Sequence, residues 1–60
     1  RRSIVANCLI NKGDIITREM ITFKRPGTGI KPFEIDKVLG KKASKEIEED
    51  TILEQEMIAG

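Results

Sequence analysis

The chain has 60 residues, 11 basic against 10 acidic side chains, one cysteine, two phenylalanines and no histidine, tryptophan or tyrosine. Without histidine there is no imidazole relay or serine–histidine triad, and one cysteine makes neither a structural zinc site nor an internal disulfide. A net charge of +1 without a basic block, two aromatic rings and no apolar run near the ~18 residues of a membrane span exclude nucleic acid and membrane as partners. No signal peptide is recognisable, and the cysteine usage fits a cytoplasmic protein, with Cys8 expected as a small buried hydrophobe. A chain this short buries only about 60% of its unfolded surface, so its stability rests on local detail or on a partner covering one face. Its first residue is Arg1 rather than methionine, which predicts a piece of a larger protein.

In chain order, Arg1-Arg2-Ser3 reads as a terminus or the end of a linker. Ile4-Val5 and Leu9-Ile10 are strand-like, Asn11-Lys12-Gly13-Asp14 is a turn, and Ile15-Ile16 begins a second short strand. Thr17–Met20 predicts a single helical turn with Thr17 as N-cap and Glu19 in the first turn. The connector, residues 22–41, has two parts. Arg25-Pro26-Gly27-Thr28-Gly29 cannot be regular structure: Pro26 lacks an amide proton and biases Arg25 to an extended backbone, and the glycines permit positive φ or close approach by another backbone. Lys31 to Leu39 reads as the best helix, with Pro32 in its first turn, Glu34 and Asp36 near its positive end, Phe33, Ile35, Val38 and Leu39 as its apolar face, and Gly40 as its stop.

Residues 44–58, rich in Glu, Lys and Gln, look helical by composition. An internal repeat argues otherwise. Displaced by 37 positions, residues 5–21 fall on residues 42–58 with six identities in 17 pairs: Ala6/Ala43, Ile10/Ile47, Ile15/Ile52, Glu19/Glu56, Met20/Met57 and Ile21/Ile58. Two copies are too few for a solenoid and predict similar halves about a pseudo-two-fold axis. Each copy then reads as strand, turn, short strand and one helical turn, with Glu48-Glu49-Asp50-Thr51 as the second turn and Glu54–Met57 as the second helical turn. The expected core is Ile4, Val5, Leu9, Ile10, Ile15, Ile16, Met20, Ile21, Ile35, Val38, Leu39, Ile47, Ile52, Leu53, Met57 and Ile58.

The candidate site is Lys24-Arg25-Pro26-Gly27-Thr28-Gly29. It is no P-loop, because the glycine spacing differs and no Gly-Lys-Ser/Thr follows. Pro26 and the glycines stiffen the base of Arg25, whose planar guanidinium is suited to a polar ligand. Lys24, Thr28 and Gly29 are secondary candidates. Lys41-Lys42 and Glu46, Glu48, Glu49 and Asp50 read as solvated faces, since carboxylates without a cleft make no acid–base pair.

Ser3-Ile4-Val5-Ala6-Asn7-Cys8-Leu9-Ile10 is followed in order by Lys12-Gly13-Asp14-Ile15-Ile16-Thr17, Arg25-Pro26-Gly27-Thr28-Gly29-Ile30, Val38-Leu39-Gly40-Lys41-Lys42-Ala43 and Glu49-Asp50-Thr51-Ile52-Leu53. This series resembles the antifreeze-like (SAF) domain, in particular the C-terminal domain of bacterial sialic acid synthases, across essentially the whole chain. The spelling Lys24 to Ile30 is more similar to synthases of N-acetylneuraminate or legionaminate than of pseudaminate. The resemblance implies a mostly β fold with short helical turns, a compact β-clip with internal pseudo-two-fold symmetry. It implies one domain, residues 1–60, attached to a (β/α)8 barrel that binds phosphoenolpyruvate, a divalent metal (Mn or Mg) and an N-acetylmannosamine-type sugar. The domain of one subunit would cap the barrel of the other in a swapped homodimer, with Arg25 reaching the sugar's acylamino group. It would carry no catalytic residue, metal ligand or cofactor of its own.

Two other functions belong to this resemblance. One is a non-catalytic dimerisation or docking module. The other is ice binding, since fish type III antifreeze protein shares the fold; Lys12, Asp14, Arg18 and Glu19 on the matching stretch, Cys8 to Ile21, oppose it.

Overall fold

The computed structural model describes residues 1–59. Strands β1 (Ser3–Ala6) and β2 (Ile21–Lys24) pair antiparallel, Ser3 opposite Lys24 and Ala6 opposite Ile21. Strands β3 (Lys42–Ala43) and β4 (Ile58–Ala59) repeat this, with Lys42 opposite Ala59 and Ala43 opposite Ile58. Single-turn 3-10 helices, Arg18–Met20 and Gln55–Met57, lead into β2 and β4. The mostly β architecture with short helical turns is the expected one, and the acidic second copy adopts strand, turn and strand despite its helical composition.

The 37-residue offset governs the backbone bonds. Ile10 N–H donates to Ile47 C=O at 2.8 Å and Ile47 N–H donates to Ile10 C=O at 2.8 Å. These residues are each other's equivalents, so the bridge between them lies on the pseudo-two-fold axis. The bridges Val5–Ile52 and Ile15–Lys42 exchange under the same operation. So do the bonds Asp50 N–H to Ala6 C=O (2.9 Å) and Gly13 N–H to Ala43 C=O (2.8 Å), and Leu53 N–H to Ile4 C=O (2.9 Å) and Ile16 N–H to Lys41 C=O (2.8 Å). Both turns use a left-handed residue at the same place, Gly13 at φ 89° and Asp50 at φ 69°. Glycine adopts that conformation freely, whereas an L-residue pays for its Cβ.

The core is Ile4, Val5, Ala6, Ile10, Ile16, Ile21, Ile30, Val38, Ala43, Ile47 and Leu53, with Met20, Ile35, Leu39, Met57 and Ile58 packed partly buried against it. Cys8 is half-buried against the same cluster rather than fully enclosed. Three expected core residues lie outside: Leu9 is 53% exposed, Ile15 46% exposed, and Ile52 is half-buried outside the core cluster. In extended chain neighbouring side chains point to opposite faces. Ile10 and Ile16 take the inward positions, which turns Leu9 and Ile15 to solvent.

The expected helix over residues 31–39 is instead a 3-10 segment, Pro32–Lys37, kinked at Glu34. Val38 is buried in the core, and Ile35 and Leu39 pack partly buried against it. Phe33 is 86% exposed, so it is not part of the apolar face. Gly40, at φ 82°, turns the chain into β3. Thr17 occupies the N-cap position of the first helical turn, but its side chain makes no cap hydrogen bond.

Candidate functional site

The Lys24–Gly29 loop leaves the end of β2 and returns across the start of β1. The Arg25–Pro26 peptide is cis. Beneath the loop lies Ser3, which is fully buried. Its Oγ donates to Pro26 C=O at 2.6 Å and accepts from Gly29 N–H at 3.0 Å. Past the loop, Ile30 locks to both halves: Ile4 N–H donates to Ile30 C=O at 2.8 Å, and Ile30 N–H donates to Leu53 C=O at 3.0 Å. From the outer side Lys31 Nζ donates to Gly27 C=O. Lys31 N–H in turn donates to Glu34 Oε1 at 3.1 Å, and Lys37 pairs with Glu34 Oε2 at 3.3 Å. The Lys31 amide first, then Lys37, hold the Glu34 carboxyl below its ordinary pKa.

The loop glycines serve close approach, not positive φ. A Cβ on Gly29 would lie 2.5 Å from Leu53 O and overlap the Ile52 side chain. A Cβ on Gly27 would lie 2.7 Å from Arg1 Cβ. Gly29 is thus the residue that lets the loop rest directly on the second half, and Gly27 rests on the chain's first residues.

The four candidate residues have different surroundings. Lys24 Nζ pairs with Asp50 Oδ1 at 2.8 Å, both side chains exposed. The hydrogen bond and charge of Asp50 raise the Lys24 pKa above its ordinary value, so the ammonium is already engaged. Gly29 faces inward with its amide on Ser3. Thr28 is exposed at the loop crown. Arg25 is exposed, and among the described residues its guanidinium has no hydrogen bond or ion pair. Chemically, a guanidinium supplies hydrogen-bond donors and a permanent positive charge; it binds a carbonyl or anionic oxygen and transfers no proton.

A hollow of about 290 Å³ lies between Ile15, Gly40, Lys41, Lys42 and Ala59, and none of Lys24, Arg25, Thr28 and Gly29 lines it. Among the described residues no group of three His, Cys, Asp or Glu side chains is placed to hold a metal ion. Ser3 and Lys31 build the site and were not legible as site residues. Ser3 reads as a terminus, and since serine is mostly an exposed residue nothing in the sequence marks its hydroxyl as buried.

The SAF domain family pattern matches residues 1–59. The N,N'-diacetyllegionaminic acid synthase of Campylobacter jejuni is 38% identical over 55 residues, which is 92% of this chain and 16% of the synthase. The pseudaminic acid synthase of Campylobacter jejuni is 45% identical over 47 residues, 78% of this chain and 14% of that enzyme. An uncharacterised protein of Methanocaldococcus jannaschii is 43% identical over 53 residues, 88% of this chain and 16% of that protein. The chain therefore spans about one-sixth of the length of these relatives. The solution structure of the antifreeze-protein-like domain of human N-acetylneuraminic acid phosphate synthase superposes with a TM-score of 0.90 at 34% identity, covering 97% of this chain and 75% of the human one. Alike in sequence pattern and in backbone path over nearly its whole length, the chain belongs to the SAF domain family.

Proposed function

We propose that this domain is the substrate cap of a cytoplasmic sialic-acid-type synthase that condenses phosphoenolpyruvate with an N-acetylmannosamine-type sugar. The catalytic (β/α)8 barrel belongs to the rest of a longer chain, and the cap of one subunit closes the barrel mouth of its partner in a swapped homodimer. A divalent metal, manganese or magnesium, belongs to the barrel, where it supplies Lewis-acid polarisation of an oxygen. The cap's own residues bind, orient and exclude water. Arg25 donates to the acylamino oxygen of the sugar, with Thr28 as a second contact, Lys24 at the edge of the contact surface and Gly29 seating the loop from beneath.

The observation that carries this reading is the contrast between a pinned loop and an exposed Arg25 guanidinium that has no partner among the described residues. A backbone tied at Pro26, Gly27, Gly29 and Ile30 loses little further freedom on binding, so a contact made from it retains more of its energy. The two synthase relatives support the sugar class. Ice binding is disfavoured by Lys12, Arg18 and Glu19, which are exposed on the Cys8–Ile21 stretch.

The test is steady-state kinetics of the full-length enzyme carrying Arg25→Ala, each substrate varied in turn. Loss of a charge-assisted hydrogen bond costs about 1.5–3 kcal/mol, a drop of roughly 10- to 150-fold in kcat/KM for the amino sugar. Phosphoenolpyruvate should be little affected. If neither value moves while the domain stays folded, Arg25 is a surface residue and the domain is a dimerisation or docking clamp.

A further inference from the structure

The buried hydroxyl of Ser3 has both of its partners inside one loop. It donates to Pro26 C=O and accepts from Gly29 N–H, at 2.6 and 3.0 Å. A hydroxyl used in both directions, on a side chain with no exposed surface, holds a fixed rotor. Pro26 is the residue directly after Arg25. The backbone of Ser3 is equally constrained, paired across from Lys24 in β1–β2 and followed by Ile4, whose amide bonds Ile30. Ser3 thus stands between the strand that leads into the loop and the residue that closes it.

Most backbone bonds of one half recur in the other. The equivalent of Ser3 is Gly40, which has no side chain, so the two bonds of the Ser3 hydroxyl have no counterpart at that position. The contact of Gly27 with Arg1 joins the first residues of the chain to the same loop, so that Arg1-Arg2-Ser3 and Arg25-Pro26-Gly27 form one packed unit.

We infer that Ser3 is the positioning residue of Arg25, setting where the guanidinium stands relative to the ligand, and that Lys31 assists from the outer side through Gly27 C=O. This rests on the capping reading above, in which Arg25 contacts the sugar.

The test is a double-mutant cycle in the full-length enzyme: Ser3→Ala, Arg25→Ala and the pair, with KM measured for both substrates. Ser3→Ala should raise the sugar KM about 5- to 30-fold, the range of a one to two kcal/mol misplacement. The KM for phosphoenolpyruvate should hold. In the Arg25→Ala background the same substitution should add little, because Arg25 carries the main sugar contact of the loop that Ser3 holds. Multiplying losses in the pair, an equal rise for phosphoenolpyruvate, or no change in sugar KM where Arg25→Ala raises it would each overturn the positioning role. An Arg25→Ala enzyme with unchanged sugar kinetics overturns the capping reading itself, which is a distinguishable result. Lys31→Met keeps the question answerable if Ser3→Ala fails to fold. It removes the tether to Gly27 and the Lys31 charge near Glu34, from a half-buried position, and should give a smaller rise in sugar KM that falls away in the Arg25→Ala background. A Lys31→Met rise that persists in that background overturns the inference.

Discussion

The two halves of this domain share a backbone plan and differ in what covers it. Ile15 and Ile52 are equivalents, both turned outward by the alternation that buries Ile16 and Leu53. Ile15 stays 46% exposed, whereas Ile52 is half-buried because the loop comes down on it at Gly29. The hollow beside Ile15, Gly40 and Lys42 corresponds to the place where Ser3 and the loop sit in the first half. The shared plan accounts for the scaffold, and the seat of the loop on Ile52 breaks its symmetry.

The symmetric part should fail symmetrically. Ile10 and Ile47 meet across the axis and are both buried. Truncating either to alanine should cost about 2–5 kcal/mol, as for other buried isoleucines. Urea unfolding of the two variants should agree to within about 0.5 kcal/mol, and a larger gap would mean that one half carries the core. The asymmetric part should fail on one side only. Gly29→Ala drives a methyl onto Leu53 O and Ile52, an overpacking cost of about 1–3 kcal/mol. Adding bulk at Ile15, by Ile15→Phe, should stay within about 0.5 kcal/mol, since the equivalent space is open. Thermal midpoints of both variants give the answer directly; a Gly29→Ala domain as stable as its parent would mean that the loop is not seated on the second half.

Much of this plan was legible in the sequence, for reasons that the residues make clear. Identities at a constant offset carry the symmetry, and they assigned the acidic second copy to strand and turn against its own composition. What the sequence withheld was the phase within apolar pairs. Leu9-Ile10 and Ile15-Ile16 offer two equally apolar side chains, and only the axis through Ile10 decides which goes inward. Phe33 was misplaced by its apolar character alone: at 3.6 residues per turn as at three, it lies away from Ile35 and Val38. Ile30 belongs to no periodic pattern; it is buried because its backbone bonds to Ile4 and Leu53. Within the site, the rigidity of Arg25-Pro26-Gly27-Thr28-Gly29 could be read from Pro and Gly. The pairing of Lys24 with Asp50 could not, since the two are 26 residues apart.

Asp50 offers the finest comparison of the halves, because it carries at φ 69° the left-handed conformation that Gly13 carries at φ 89°. Asp50→Gly relieves the Cβ crowding of that region, a gain of about 1 kcal/mol, partly offset by the freer unfolded chain that glycine brings. It also removes the ion pair with Lys24, so the net gain should be small in dilute buffer. Two conditions separate the contributions. Salt at about 1 M, where the Debye length is about 3 Å, screens the exposed pair and leaves the backbone gain, so the advantage of Asp50→Gly should grow. Alkaline pH should act in the same direction. The Lys24 pKa is raised by Asp50, so the pair's contribution is complete below the ordinary lysine pKa and disappears as pH rises through the higher folded value. A variant that is destabilised equally at low and high salt would mean that Asp50 sits in its turn without strain, and that the two turns differ by more than the absence of a glycine.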